Sequence, residues 1–177
     1  MLLAGGYAIS GYQLISNHWM LSASEKLGYV TAALINMEPA TIASSKSIAD
    51  GAWHYVAMTL EPDLASLYVD GRTVRRVEVH RKVETWSMDS RTNEGPLFVG
   101  GFRPDARGCD ALIDEVRLSR VARQIDGIPD APFEADAATV GLWHFDNLDA
   151  AGKFADSAKT GNPIRVQPYL PTLDEND

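Results

Sequence analysis

The chain has 177 residues, with 16 Lys+Arg against 24 Asp+Glu and a formal net charge of −8. That length suits one domain with room for a core, and 45% hydrophobic with 23% charged residues is a globular composition that excludes wholesale disorder. No apolar run reaches the ~20 residues needed to span a bilayer, and the acidic balance argues against a nucleic-acid binder, which needs Lys and Arg clustered on one face.

Residues 1–9 are mildly apolar and lack the basic and apolar regions of a signal peptide, so either the protein stays inside or its leader is missing from the chain. Strands are expected at 7–16, 28–37, 41–47, 53–60, 66–69 and 72–83. These runs are rich in Val, Ile, Tyr, Trp and Thr and are bounded by Gly, Pro, Asn and Asp. Further strands are expected at 97–100, 111–118 and 139–145, with a weaker one at 164–167. Helical periodicity is scarce, and one helical turn is expected, at 119–124. Many short strands separated by turn signals predict an antiparallel sandwich or barrel.

The clearest local unit is a hairpin, in which Leu67-Tyr68-Val69 and Thr73-Val74 flank Asp70-Gly71, a pair that accepts positive φ at both centres of a type I′ turn. Strand parity over 111–118 places Asp114 on one face with Leu112, Val116 and Leu118. A carboxylate there must be hydrogen-bonded, paired with Arg, or bound to a cation, because an unpaired buried charge is very costly. From 125 to 138 the chain reads as an extended connector carrying Pro129 and Pro132, and the acidic tail 171–177 reads as frayed.

Trp53 and Trp143 sit in apolar strands and are expected in the core, while His54 and His144, each following one of them, are expected as hydrogen-bonded structural residues. Trp86 differs, because it stands in the polar stretch 84–93. It is either a stacking platform for a ligand or a lid folded over the sheet. Phe102 and Arg103, just after Gly100-Gly101, could line the same rim. Cys109 is the single cysteine, so no internal disulfide forms, and zinc-type Cys/His spacings are absent.

Asp50-Gly51-Ala52-Trp53-His54-Tyr55-Val56-Ala57, followed by Leu67-Tyr68-Val69-Asp70-Gly71, resembles the DGxWHxVAxT…LYVDG core of laminin-G-like domains, which belong to the concanavalin A-like lectin/glucanase superfamily. Leu97-Phe98-Val99-Gly100-Gly101, Ala111-Leu112-Ile113-Asp114-Glu115-Val116-Arg117-Leu118-Ser119 and Val121-Ala122-Arg123 follow in the family's order. The resemblance implies an all-β jelly-roll of two curved antiparallel sheets. The family's opening Trp-x-Phe-Asp strand does not precede Met1, yet Gly141-Leu142-Trp143-His144-Phe145-Asp146 with Asp156-Ser157 is similar to it. Either this is the start of a following repeat, or the strand at 139–146 folds back and completes one sandwich over 1–170. The second reading is preferred. A missing N-terminal strand would leave an open edge able to pair with a second copy.

Glycoside hydrolases of the superfamily carry Glu-x-Asp-x-x-Glu, and hydrolysis needs two carboxylates flanking the bond. That spacing is absent here, as is the Gly-x-Ser-x-Gly elbow of Ser hydrolases, so the chain is expected not to be an enzyme. The resemblance implies a binding or adhesion module of an extracellular or cell-surface protein, with carbohydrate or a surface protein as partner. A structural docking module, or a degenerate hydrolase, is the alternative. Trp86, Phe102 and Arg103 are the candidate ligand residues. Calcium is the candidate cofactor, since hard cations take oxygen ligands at loop ends. Pentraxin-like relatives place acids in a loop similar to 102–110, which makes Asp105 and Asp110, with Asp114, the candidate ligands.

Overall fold

The computed structural model describes residues 19–23, 28–34, 37–82, 97, 99–102, 107–108 and 111–166, and every regular element among them is a β-strand. In chain order these are β1 (Trp19–Ala23), β2 (Tyr29–Leu34), β3 (Met37–Glu38), β4 (Thr41–Ser47), β5 (Val56–Leu60), β6 (Leu64–Val69) and β7 (Arg72–Glu78). There follow β8 (His80–Arg81), β9 (Gly101–Phe102), β10 (Arg107–Gly108), β11 (Val116–Ser119), β12 (Thr139–Trp143), β13 (Lys153–Phe154) and β14 (Ile164–Arg165). Two antiparallel three-stranded sheets, β1-β2-β4 and β5-β6-β7, are joined by the ladder β11-β12 and by the short pairs β3-β8, β9-β10 and β13-β14.

The first sheet follows from alternation. In β2, Val30, Ala32 and Leu34 are buried, and in β4 Ile42 and Ser44 are buried between exposed Thr41, Ala43 and Ser45. A serine in the core row is satisfied locally: Ser44 Oγ accepts the Val30 amide at 2.9 Å and donates to the Lys46 carbonyl at 2.8 Å. The β2-β4 register shifts at this point, because the Val30 amide is given to a side chain instead of a partner strand. In the second sheet Asp70 (φ 52°) and Gly71 (φ 74°) both adopt the left-handed conformation the hairpin turn demands.

Leu21, Val30, Leu34 and Ile42 from the first sheet, Val56, Met58 and Leu67 from the second, and Val116 and Trp143 from the ladder form one contiguous core. Each such side chain contributes roughly 1.5–3 kcal/mol on burial. Expected strands at 41–47, 66–69 and 72–83 correspond to β4, β6 and β7–β8, whereas 7–16 lies outside the described residues.

Four expectations are corrected. The strand expected at 53–60 begins at Val56, so Trp53 precedes it and is 66% exposed instead of core. The strand expected at 111–118 begins at Val116, because Glu115 takes φ 53° and ends the parity; Leu112 is 79% exposed and Asp114 is exposed as well. No helical turn forms at 119–124, where the Arg120 amide bonds the Ala138 carbonyl and Arg123 folds back to Ser119 Oγ. The expected strand at 97–100 is displaced too, with pairing starting at Gly101.

Candidate functional site

The turn between β6 and β7 builds one rim of the molecule. Asp50 accepts the Ala52 amide at 3.0 Å, closing a tight turn at Gly51 (φ 79°). Asp70 is locked onto the entry to β5: its amide donates to the Tyr55 carbonyl at 2.7 Å, and its Oδ1 accepts the Tyr55 amide at 3.0 Å. Between the two acids stands His54, with Nε2 2.9 Å from Asp50 Oδ1 and Nδ1 2.9 Å from Asp70 Oδ2. Only an imidazolium can donate from both nitrogens. The Asp50 hydrogen bond accordingly raises the His54 pKa against the opposing effect of burial, with Asp70 adding to the rise, and His54 holds the Asp50 carboxyl below its ordinary value.

The connector 125–138 closes the same rim. A Cβ at Gly71 would lie 2.2 Å from the Gly127 Cα, so the hairpin turn and the connector touch where both residues are glycine. Trp53, next to His54, and Ile128, next to Gly127, are both exposed apolar side chains.

A second group fixes the connector. Glu115 Oε2 accepts the Phe133 amide at 2.9 Å, and its Oε1 lies 2.5 Å from His144 Nδ1. The Arg117 guanidinium rests 4.0 Å from the Phe133 ring centroid, and the Tyr55 and Phe133 rings are 6.1 Å apart. Burial pulls the Arg117 pKa down and pushes the Tyr55 phenol up. Arg123 grips Asp136 through both terminal nitrogens at 2.9 and 2.6 Å, which holds that carboxyl far below the usual range, helped by Thr139.

Asp156, in the stretch similar to the family's opening, organises its own loop. It accepts the Leu142 and Ala158 amides, each at 3.0 Å, and the Thr160 hydroxyl at 2.5 Å. Burial works to raise its pKa, but these donors outweigh it and the net shift is downward.

These clusters are self-satisfied. In the His54 group the imidazole fills the space between the two carboxylates that a glycosidic bond and a water would need. A cleft of about 140 Å³ between β1, β5 and β11 is lined by Trp19, Met58, Leu60, Leu118 and Arg120 among others, with no acid or histidine among the described residues on its wall.

Of the candidate residues read from sequence, Trp86, Arg103, Asp105 and Asp110 lie outside the described residues, and Phe102 is described only as a backbone partner of Arg107 in β9. Asp114 is exposed, and its Oδ1 accepts the Glu115 amide at 2.9 Å, so the buried-carboxylate reason for a cation there does not hold. Among the described residues no three His, Cys, Asp or Glu are placed to hold a metal. The expected structural roles of His54 and His144 match their bonded geometry. Sequence reasoning missed Trp53; the Asp50-Gly51 turn immediately before it was the available signal that the strand had not yet begun.

A family model described as the concanavalin A-like lectin/glucanases superfamily, of the laminin G type, matches residues 7–129, a stretch that contains Asp50, Trp53, His54 and Asp70. Neurexin-2 of Mus musculus and Neurexin-2 of Homo sapiens are each 39% identical over 70 residues, covering 40% of this chain. The match spans 4% of each relative's length. No solved structure matches the chain.

Proposed function

This chain belongs to the laminin-G-like domains of the concanavalin A-like lectin/glucanase superfamily, and we propose that it is a non-catalytic module binding carbohydrate at the rim around Trp53. Family membership supports a binding or adhesion module in general. The observation that carries the carbohydrate reading is Trp53, an indole 66% exposed and next in sequence to the His54 that bridges Asp50 and Asp70. A flat aromatic face stacks on the C–H face of a sugar. The bridging of both acids by His54 supports the non-catalytic part of the reading. The setting proposed is a cell-surface or extracellular protein.

A glycan array with the intact chain and Trp53→Ala tests the rim. The variant should lose sugar binding while keeping its melting temperature, since an exposed ring contributes little to the core. Undiminished binding by Trp53→Ala overturns the rim as the site. Trp86, Phe102 and Arg103 stay proposed as further ligand contacts, and calcium stays proposed at Asp105 and Asp110. Thermal unfolding in millimolar calcium against EDTA checks the latter, because a site filled at 100 times its Kd adds ~2.7 kcal/mol.

A further inference from the structure

Residues 72–82 hold five of the chain's 16 Lys and Arg, namely Arg72, Arg75, Arg76, Arg81 and Lys82, against the single acid Glu78. Five cations less one acid give this stretch +4, so the remaining residues carry −12 of the net −8. All five side chains are exposed, and among the described residues none makes a hydrogen bond or ion pair, in contrast to Arg123 with Asp136. Arg72, Arg75 and Arg76 lie on β7, the outer strand of its sheet, while Arg81 lies on β8 against β3. β6 occupies one side of β7, and among the described residues nothing pairs with the other. Seven residues at ~3.3 Å each make β7 roughly 23 Å long.

Cations on an edge strand keep most strands away, and a second copy of β7 is repelled by its own charge. The same charges leave an acidic strand acceptable. Placement separates an acidic strand from other polyanions. Arg75 and Arg76 are consecutive, opposite Leu67 and Ser66, and so point to opposite faces of the sheet. A polysaccharide or a nucleic acid lying on one face reaches only one of them, whereas a strand added in the plane of the sheet meets both.

We infer that the outer edge of β7 docks an extended acidic segment of a partner polypeptide, which adds to the sheet as a further strand with carboxylates against Arg72, Arg75 and Arg76. This surface adjoins the turn of the Trp53 rim but is read through Arg75, so Trp53→Ala and Arg75→Glu report on the two readings separately.

The test is fluorescence anisotropy on the full chain with a labelled peptide of Glu-Glu-Val repeats. A second peptide has the same charges but is N-methylated at alternate residues, and heparin and an oligonucleotide serve as unlabelled competitors. Saturable binding is expected, at least ~10-fold weaker for the N-methylated peptide and for Arg75→Glu, and unchanged for Arg120→Glu. Arg75→Gln, with its circular dichroism compared with the parent, separates lost charge from lost fold and should weaken binding with the spectrum intact. Equal binding of the N-methylated peptide, displacement by heparin or the oligonucleotide at lower concentration than by unlabelled peptide, or no binding at all each overturns the proposal.

Discussion

His54 bridges two carboxylates, which makes its contribution depend on pH with a defined sign. Its folded pKa is raised above 6.5, so its stabilisation is fully present below that value and is lost as pH rises through the folded pKa. Asp50 is lowered below 3.8, so its share is present above 3.8 and lost as pH falls through its folded pKa. The latch joining the Asp50 turn to the β6-β7 hairpin is therefore strongest between 3.8 and 6.5. Melting temperature followed from pH 5 to 9 should contain a falling component above 6.5 that is absent from His54→Gln. Parallel profiles for the two proteins would show that the bridge carries no charge. The sequence reading anticipated a bonded histidine from its place inside an apolar motif. It could not name Asp70 as a partner, because that pairing exists only after the hairpin has folded back across 16 residues.

At the scale of elements, the connector is a strap with three fastenings, and each comes from a different neighbour. Glu115 takes the Phe133 amide, Arg117 covers the Phe133 ring, and Arg123 clamps Asp136. Glu115→Ala removes the acceptor for Phe133 and the partner of His144 together, which predicts a loss of ~1–3 kcal/mol. Glu115→Gln keeps the acceptor and should cost less. Urea unfolding checks this: the midpoint falls with an unchanged slope if the strap is fastened as described, and an unmoved midpoint in Glu115→Ala contradicts it. The extended path of the strap was legible from Pro129, Pro132 and the lack of periodicity, since these act locally. Its fastenings were not. Parity was carried through Glu115 as though the strand were continuous, and one residue at φ 53° reversed which side chains face the core, exposing Leu112 and Asp114. Trp53 was misplaced for a similar reason, since a strand that starts three residues late no longer fixes the direction of its first side chain. The hairpin at Asp70-Gly71, where turn type is dictated by two adjacent residues, needed no tertiary information.

For the whole molecule, the position of β12 decides what counts as the domain. Ladder pairs Val116 with Trp143, Arg117 with Leu142 and Leu118 with Gly141 join it to β11, and Trp143, 3% exposed, packs in the same core as Val30 and Leu67. The Trp143 indole N–H is bonded to the Asn162 carbonyl at 2.8 Å, and Ile164 packs against that core, so the loop beyond β12 is drawn in with it. On the single-sandwich proposal, a chain ending at residue 138 leaves a hole where Trp143 stood and bares the edge of β11. Removing a buried Trp alone costs ~3–5 kcal/mol, a large share of the ~5–15 kcal/mol that holds a domain together. The truncated chain should therefore lose its cooperative thermal transition and bind a hydrophobic dye, while a chain ending at 166 keeps both transition and near-ultraviolet dichroism. A sharp transition in the shorter chain would assign 139–166 to a separate unit and leave 1–138 as the folding domain.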